Sequence, residues 1–254
     1  MQIRLIRSAT LTVDVAGSRL LIDPWLAARV EGRSYSGRAT SPLVDLPLAV
    51  EELLDGIDAV LISHLHSDHF DEAAQRALPK SMPILCHSRD QAAIMAMGFK
   101  DVRSIGQGLA LGSVQIRTTD GQHCPPEVLN DMGEVSGFLI EARGEPILYW
   151  AGDTILCPEV VAVLADEKPD VVVVHGCGAL WHGKGPIVMD AAMVRETLRL
   201  AGAAIVRVTH LDAVDHATVS RADIRSMTDR QTQGAERLRI LEDGETLNFD
   251  RTLR

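Results

Sequence analysis

Residues 64–69, His64-Leu65-His66-Ser67-Asp68-His69, place four side chains able to ligate a metal within six positions. Imidazole and carboxylate together suit zinc, and also manganese or iron. The preceding run Ala59-Val60-Leu61-Ile62 reads as a strand. Alternate side chains of an extended segment share a face, so His64 and His66 can hold one ion together. As the chain turns after Ser67, Asp68 and His69 can swing toward a second ion. The plainer reading is two surface histidines and an aspartate that caps the next helix. Histidine is seldom clustered in this way, and Asp68 can cap and ligate at once.

If the motif is functional, further ligands should stand at the ends of other strands. Residues 114–119 alternate as a strand and lead to His123, before the rigid Cys124-Pro125-Pro126, which cannot continue a helix. Residues 137–141 and 146–150 form a strand pair ending in Ala151-Gly152-Asp153-Thr154. Val171-Val172-Val173-Val174 is a continuous apolar run that must be buried on both faces, and it exits at His175. Residues 204–209 form a strand that ends in His210, with His216 six residues beyond. Upstream, residues 3–6, 10–15 and 19–22 read as a meander closed by Asp23-Pro24-Trp25. Helices are expected over 48–54, 70–78, 158–165, 190–201 and 217–228, with another capped by Ser88 and stopped by Gly98. Asp243-Gly244 signals a hairpin between strands at 239–241 and 246–249. Strand–helix alternation predicts an α/β architecture with helices packed outside the sheet.

The HxHxDH pattern, His123, Gly152-Asp153-Thr154 and His210 together resemble the metallo-β-lactamase superfamily. The Asp23-Pro24-Trp25 opening, Ser136-Gly137-Phe138 and the stretch from His210 to His216 look most like its ascorbate-6-phosphate-lactonase-like branch. The resemblance implies a four-layer αββα sandwich, one domain over residues 1–254. It implies two divalent cations, zinc first and manganese next. His64, His66 and His123 would bind the first; Asp68, His69 and His210 would bind the second, with Asp153 bridging. Asp23 would brace the loops around them. His216 is a rival to His210 and, with Asp68 and Asp153, a candidate for the chemistry. His175 stands where the family's ligands do not usually sit, so it would line the pocket, donate to a substrate oxygen, or pack. Two ions sharing a water lower its pKa toward about 7, giving a nucleophile at neutral pH.

The chain has 254 residues, 46% hydrophobic and 24% charged, which is ample for a large core. A formal net charge of −10 argues against non-specific nucleic-acid binding, which needs a basic surface. No apolar run approaches the ~20 residues of a membrane span. The N-terminus lacks a signal peptide's apolar block, and the four cysteines are widely spaced, so reduced thiols in a cytoplasmic protein are expected. Residues 27–47 are rich in Gly, Ser and Arg and promise a long irregular loop. Arg33, Tyr35 and Arg38 on this loop, with Trp181 and Lys184 in a later Gly-rich stretch, are the candidate substrate contacts; their cations would select an anion. The expected function is hydrolysis of a small ester, lactone or phosphoester. The alternatives are a phospholipase-D-like phosphodiesterase and a metal-binding module without turnover. Homo-oligomerisation is left open.

Overall fold

The computed structural model describes residues 1–125, 132–181, 185–227 and 234–250. Its strands form two seven-stranded mixed sheets. The first contains β1 (Gln2–Arg7), β2 (Thr10–Val15), β3 (Ser18–Ile22), β4 (Ala59–Ile62), β5 (Ile84–Cys86) and β6 (Val102–Ser104) in that order, with β14 (Thr246–Asn248) beside β1. The second runs β13 (Leu238–Ile240), β12 (Ile205–Thr209), β11 (Val171–His175), β10 (Leu148–Trp150), β9 (Val135–Ala142), β8 (Val114–Gly121), β7 (Leu109–Leu111).

The period of two in a strand decides how the layers stack. Leu20 and Ile22 of β3 and Leu61 of β4 meet Val171 and Val173 of β11 in a core between the sheets, whereas Leu21, Val60 and Ile62 face outward. On that outer face they pack with residues of α1 (Val50–Leu54), α2 (Glu72–Ala77) and α3 (Ser88–Ala96). Val172 and Val174 likewise point away from the centre, toward α4 (Pro158–Asp166), α5 (Ala191–Leu200) and α6 (Arg221–Met227). The valines of β11 are all fully buried, as a strand sandwiched between helices and a second sheet must be. The result is an αββα sandwich of four layers.

Strand direction brings the functional positions to one edge. β3 runs parallel to β4, and β10, β11 and β12 run parallel to one another. β8 is antiparallel to β9, which is antiparallel to β10, so β8 and β10 also end on the same side.

Three local expectations need correction. Asp243-Gly244 does not close a hairpin: β13 pairs with β12 in one sheet and β14 with β1 in the other. An Asp-Gly pair favours a tight turn locally, but partner choice depends on which sheet has an open edge. The N-cap of α3 is His87, whose Nδ1 accepts from the Arg89 amide, and Ser88 is the first helical residue. The last helix begins at Arg221, after a Ser220–Asp223 box in which each residue's backbone N–H meets the other's side chain; its expected end at Thr228 lies outside the described residues. Strands β6 and β7, only three residues each, carried no legible pattern.

Candidate metal centre

Asp23, at the end of β3, orders the motif that follows β4. Its Oδ1 accepts from the Ser63 amide at 2.8 Å; its Oδ2 accepts from Ser63 Oγ at 2.6 Å and faces His69 Nδ1 at 2.6 Å. Because the Ser63 hydroxyl proton goes to Asp23, the oxygen must accept from His64 Nδ1, 2.8 Å away. His64 and His69 therefore carry their protons on Nδ1, which leaves each Nε2 with a lone pair. His123 Nδ1 faces the Ile187 carbonyl at 2.8 Å and is fixed in the same way. His66 Nδ1 faces His123 Nε2 at 3.2 Å. Outer partners that set the tautomer and aim the free nitrogen inward are the usual arrangement around a bound metal.

Asp153 sits between two sets of these nitrogens. Its Oδ2 is 3.2 Å from His69 Nε2 and 3.5 Å from His123 Nε2; its Oδ1 is 2.6 Å from His175 Nδ1 and 3.7 Å from His210 Nε2. Asp68 Oδ2 approaches His210 Nε2 at 3.6 Å. The candidate ligand atoms cluster as His64, His66 and His123, and as His69, Asp153, His175 and His210; a third cluster, Asp23, His64 and His69, ties one to the other. Gly152 makes the approach of Asp153 feasible. Its φ is +73°, and a Cβ there would lie 2.9 Å from the Trp150 ring and 3.1 Å from Ser136 O. His210 adopts a left-handed φ of 59°, with its amide held by Ser8 O. Strain of this kind in a non-glycine residue concentrates at functional sites.

These donors fit divalent cations. The nitrogens His64 Nε2, His69 Nε2, His175 Nε2 and both of His210 are buried with no protein hydrogen-bond partner, and isolated buried polar atoms are costly. Electrostatics point the same way. Burial disfavours a charged imidazole, yet Asp153 and Asp23 push His69 up to about 10, and Asp153 raises His210 well above its ordinary value. Where no carboxylate compensates fully, burial wins: His123 falls to about 4, and His64 falls well below the usual range. The carboxylates thus call for positive charge, and the neutral histidines offer lone pairs.

A cavity of about 240 Å³ opens onto His66, Asp68, His123 and Asp153. Its remaining walls include Arg33, Tyr35, Leu65, Ser67, Met132, Trp181, Ile187 and His216. Of the candidate substrate contacts, Arg33, Tyr35 and Trp181 line it, and Lys184 lies outside the described residues. Arg38 is turned away: its Nε meets Ser36 Oγ, and its guanidinium reaches the Ala217 carbonyl. His216 lies on the wall, its ring 4.9 Å from that of Tyr35, while His210 lies among the ligands. His175 does not line the cavity; it is fully buried behind Asp153.

Residues 27–47 contain no regular element, but three side chains tie them down. Arg7 donates to the carbonyls of Trp25, Ala27 and Val44; Asp71 accepts from the amides of Leu26 and Ala27. Asp215 accepts from Ser34 Oγ, the amides of Tyr35 and Ser36, and Ser36 Oγ at 2.6–3.1 Å. Tyr35 OH in turn meets Ser67 Oγ at 2.9 Å, beside Asp68. Sequence reading missed Ser63 and Asp215. Ser63 sits directly before the motif and Asp215 lies within the His210–His216 stretch, but the partners that reveal them, Asp23 and the loop at 34–36, are some 40 and 180 residues away.

Fold and site together define a metal-dependent hydrolase, and the comparisons agree. Residues 18–211 match the family model described as a beta-lactamase superfamily domain, and the chain belongs to that family. It is 32% identical to the UPF0173 protein YddR of Bacillus subtilis over 98% of this chain and 100% of that one. Other curated relatives are named metal-dependent hydrolases. Among solved structures, it is similar to an isothiocyanate hydrolase from Delia radicum gut bacteria, with 33% identity and a TM-score of 0.93, covering 98% of this chain and 100% of that one. A possible metal-dependent hydrolase from Veillonella parvula is 30% identical, with a TM-score of 0.94 over 98% and 99% of the two chains.

Proposed function

We propose that this protein is a dinuclear hydrolase that cleaves a small substrate at an electrophilic carbon, in an ester, a lactone or an isothiocyanate. The observation that carries this reading is the cavity itself. At about 240 Å³ it falls below the roughly 300–1,000 Å³ of common ligand sites. Leu65, Met132, Trp181 and Ile187 give it apolar walls, and it opens directly onto both ligand groups. The similarity to an isothiocyanate hydrolase adds that substrate class to the esters and lactones.

His64, His66 and His123 would hold one divalent cation; Asp68, His69 and His210 would hold the other, with Asp153 shared. Zinc is the first candidate and manganese the second. Such ions would polarise the electrophile and lower the pKa of a water. The chain's own groups supply the rest. Asp68 and Asp153 are carboxylates at the cavity floor, placed to orient the attacking water and accept its hydrogen bonds. His216, whose Nδ1 is buried without a partner, stands on the cavity wall and would donate to the leaving group. The Tyr35, Trp181 and Leu65 side chains exclude bulk water and hold the organic group. With an isothiocyanate, water adds across the C=N bond, its oxygen to the central carbon and one proton to nitrogen; the C–N bond then breaks as nitrogen takes the second proton, and amine and carbonyl sulfide leave.

Phosphodiester hydrolysis is the second reading, favoured by one observation. The Arg33 guanidinium sits on the cavity wall, stacked 5.6 Å from the Tyr35 ring, and forms no ion pair with a described carboxylate. Arginine's planar fork suits phosphate or carboxylate. The test is a panel of alkyl and aryl isothiocyanates, esters, lactones and phosphodiesters on protein of measured metal content. Turnover of carbon electrophiles, with KM for a carboxylated ester rising in Arg33→Ala and its neutral analogue unaffected, fits the first reading. Turnover confined to phosphodiesters would transfer it to the second.

A further inference from the structure

We propose that His175 is the positioning residue of the centre: its Nδ1–H holds Asp153 Oδ1, so that Oδ2 is turned between the two histidine groups. The inference rests on the dinuclear reading above.

β11 lies between β10 and β12, so its end falls between the strands that deliver Asp153 and His210. His175 pairs in register with Thr209, one residue before His210. Its ring is fully buried, edge-on to Trp150 at 4.9 Å and 4.9 Å from the His210 ring. The side chain is therefore locked by packing, and no substrate in the cavity can reach it. Its Nδ1 lies 2.6 Å from Asp153 Oδ1, a distance that requires a proton between them. With that oxygen engaged, Oδ2 is left 3.2 Å from His69 Nε2 and 3.5 Å from His123 Nε2, one from each ligand group. A carboxylate free to rotate could offer either oxygen to either group. The hydrogen bond removes that freedom, as Asp23 does for His69. The two nitrogens of an imidazole diverge, so a ring that turns Nδ1 to Asp153 turns Nε2 away from it. That geometry makes His175 a brace for a ligand and not a further ligand.

The test uses cobalt(II) as the probe, with the full chain, the His175→Leu variant and the His175→Asn variant. Stoichiometry and affinity are read by competition with a chelator, and coordination by the visible absorption spectrum. His175→Leu should bind the same number of ions as the parent, at least about tenfold more weakly and with a changed spectrum. His175→Asn, whose amide nitrogen falls near the position of Nδ1, should recover most of the affinity and the parent spectrum. His175→Phe, which fills the space beside Trp150 without a donor, replaces Leu if that variant does not fold. Unchanged affinity and spectrum in the donor-free variant would overturn the proposal in favour of packing. Loss of one ion from both the Leu and the Asn variants would overturn it in favour of direct ligation. A parent chain that binds no cobalt would overturn the dinuclear reading itself, and the proposal with it.

Discussion

Replacing Asp215 by Asn should release the wall of the cavity without unfolding the protein. The Asp215 carboxylate holds residues 34–36 through Oδ2, which accepts from Ser34 Oγ at 2.6 Å, Ser36 Oγ at 2.8 Å and the Ser36 amide at 3.1 Å. Asparagine keeps one acceptor oxygen, which can serve the Tyr35 amide, but its NH₂ group cannot accept from the Ser36 amide, and the two serine hydroxyls must turn to meet it as acceptors. With a bond to a charged acceptor worth roughly 1.5–3 kcal/mol and a neutral one about 1, losing the amide bond and the charge on the two hydroxyl bonds costs about 3 kcal/mol, or roughly two orders of magnitude in the opening equilibrium. The loop is largely exposed, so water can replace the lost acceptor and the effect should stay local. Hydrogen exchange by mass spectrometry should show faster exchange across residues 33–39, with α5 unchanged. KM should rise, because Arg33 and Tyr35 move with the loop. The same tie predicts an acid response. Burial works against the ionised Asp215, but the bonds from Ser34, Tyr35 and Ser36 hold its pKa below the ordinary value. Its contribution is therefore full above the unfolded pKa of about 3.9 and is lost as pH falls through the lower folded value. Unaltered protection of residues 33–39 in the variant would refute the assignment. So would exchange that rises equally in α5, which would make Asp215 a support of the whole fold.

With two cations bound, Asp153→Ala should disturb both sites and His123→Ala mainly the first; a metal count that stays at two in Asp153→Ala would defeat the bridging role. His210→Ala should lose the second ion, while His216→Ala keeps both and turns over more slowly; the reverse pattern in metal analysis would show the histidines to be exchanged. Gly137→Ala should lower the melting temperature by the cost of overpacking, about 1–3 kcal/mol, because the new Cβ would lie 2.8 Å from Trp150 O and 3.0 Å from Ala151 O. Backbone oxygens one strand away cannot step aside, so an unchanged melting curve would mean that β9 and β10 are less rigidly paired than the structure has them.

Much of this protein is legible in its sequence because the informative signals are local. A four-residue apolar run followed by His64, His66, Asp68 and His69 declares a strand and its cargo within a dozen positions. The period of two in β3, β4 and β11 separates residues of the inter-sheet core from those beneath the helices. Candidate ligands at the ends of β8, β10 and β12 could be picked out one strand at a time. Other features depend on residues far apart in the chain, and only the folded structure decides them. β13 and β14 look like a hairpin but belong to different sheets, since the open edge each completes was built some 30 and 240 residues earlier. Arg33 and Arg38 are equivalent in the sequence; the hydrogen bonds of Arg38 to Ser36 and Ala217 turn it outward, while Arg33 stacks on Tyr35 at the cavity. Asp215 reads as one more aspartate until the loop 180 residues before it folds across its carboxylate. His175 could be read as lining, donating or packing, and its 2.6 Å contact with Asp153 exists only because parallel strands set their ends side by side. Local periodicity reveals which face a side chain takes; what it meets there is settled by the strand or loop that the rest of the chain brings to it.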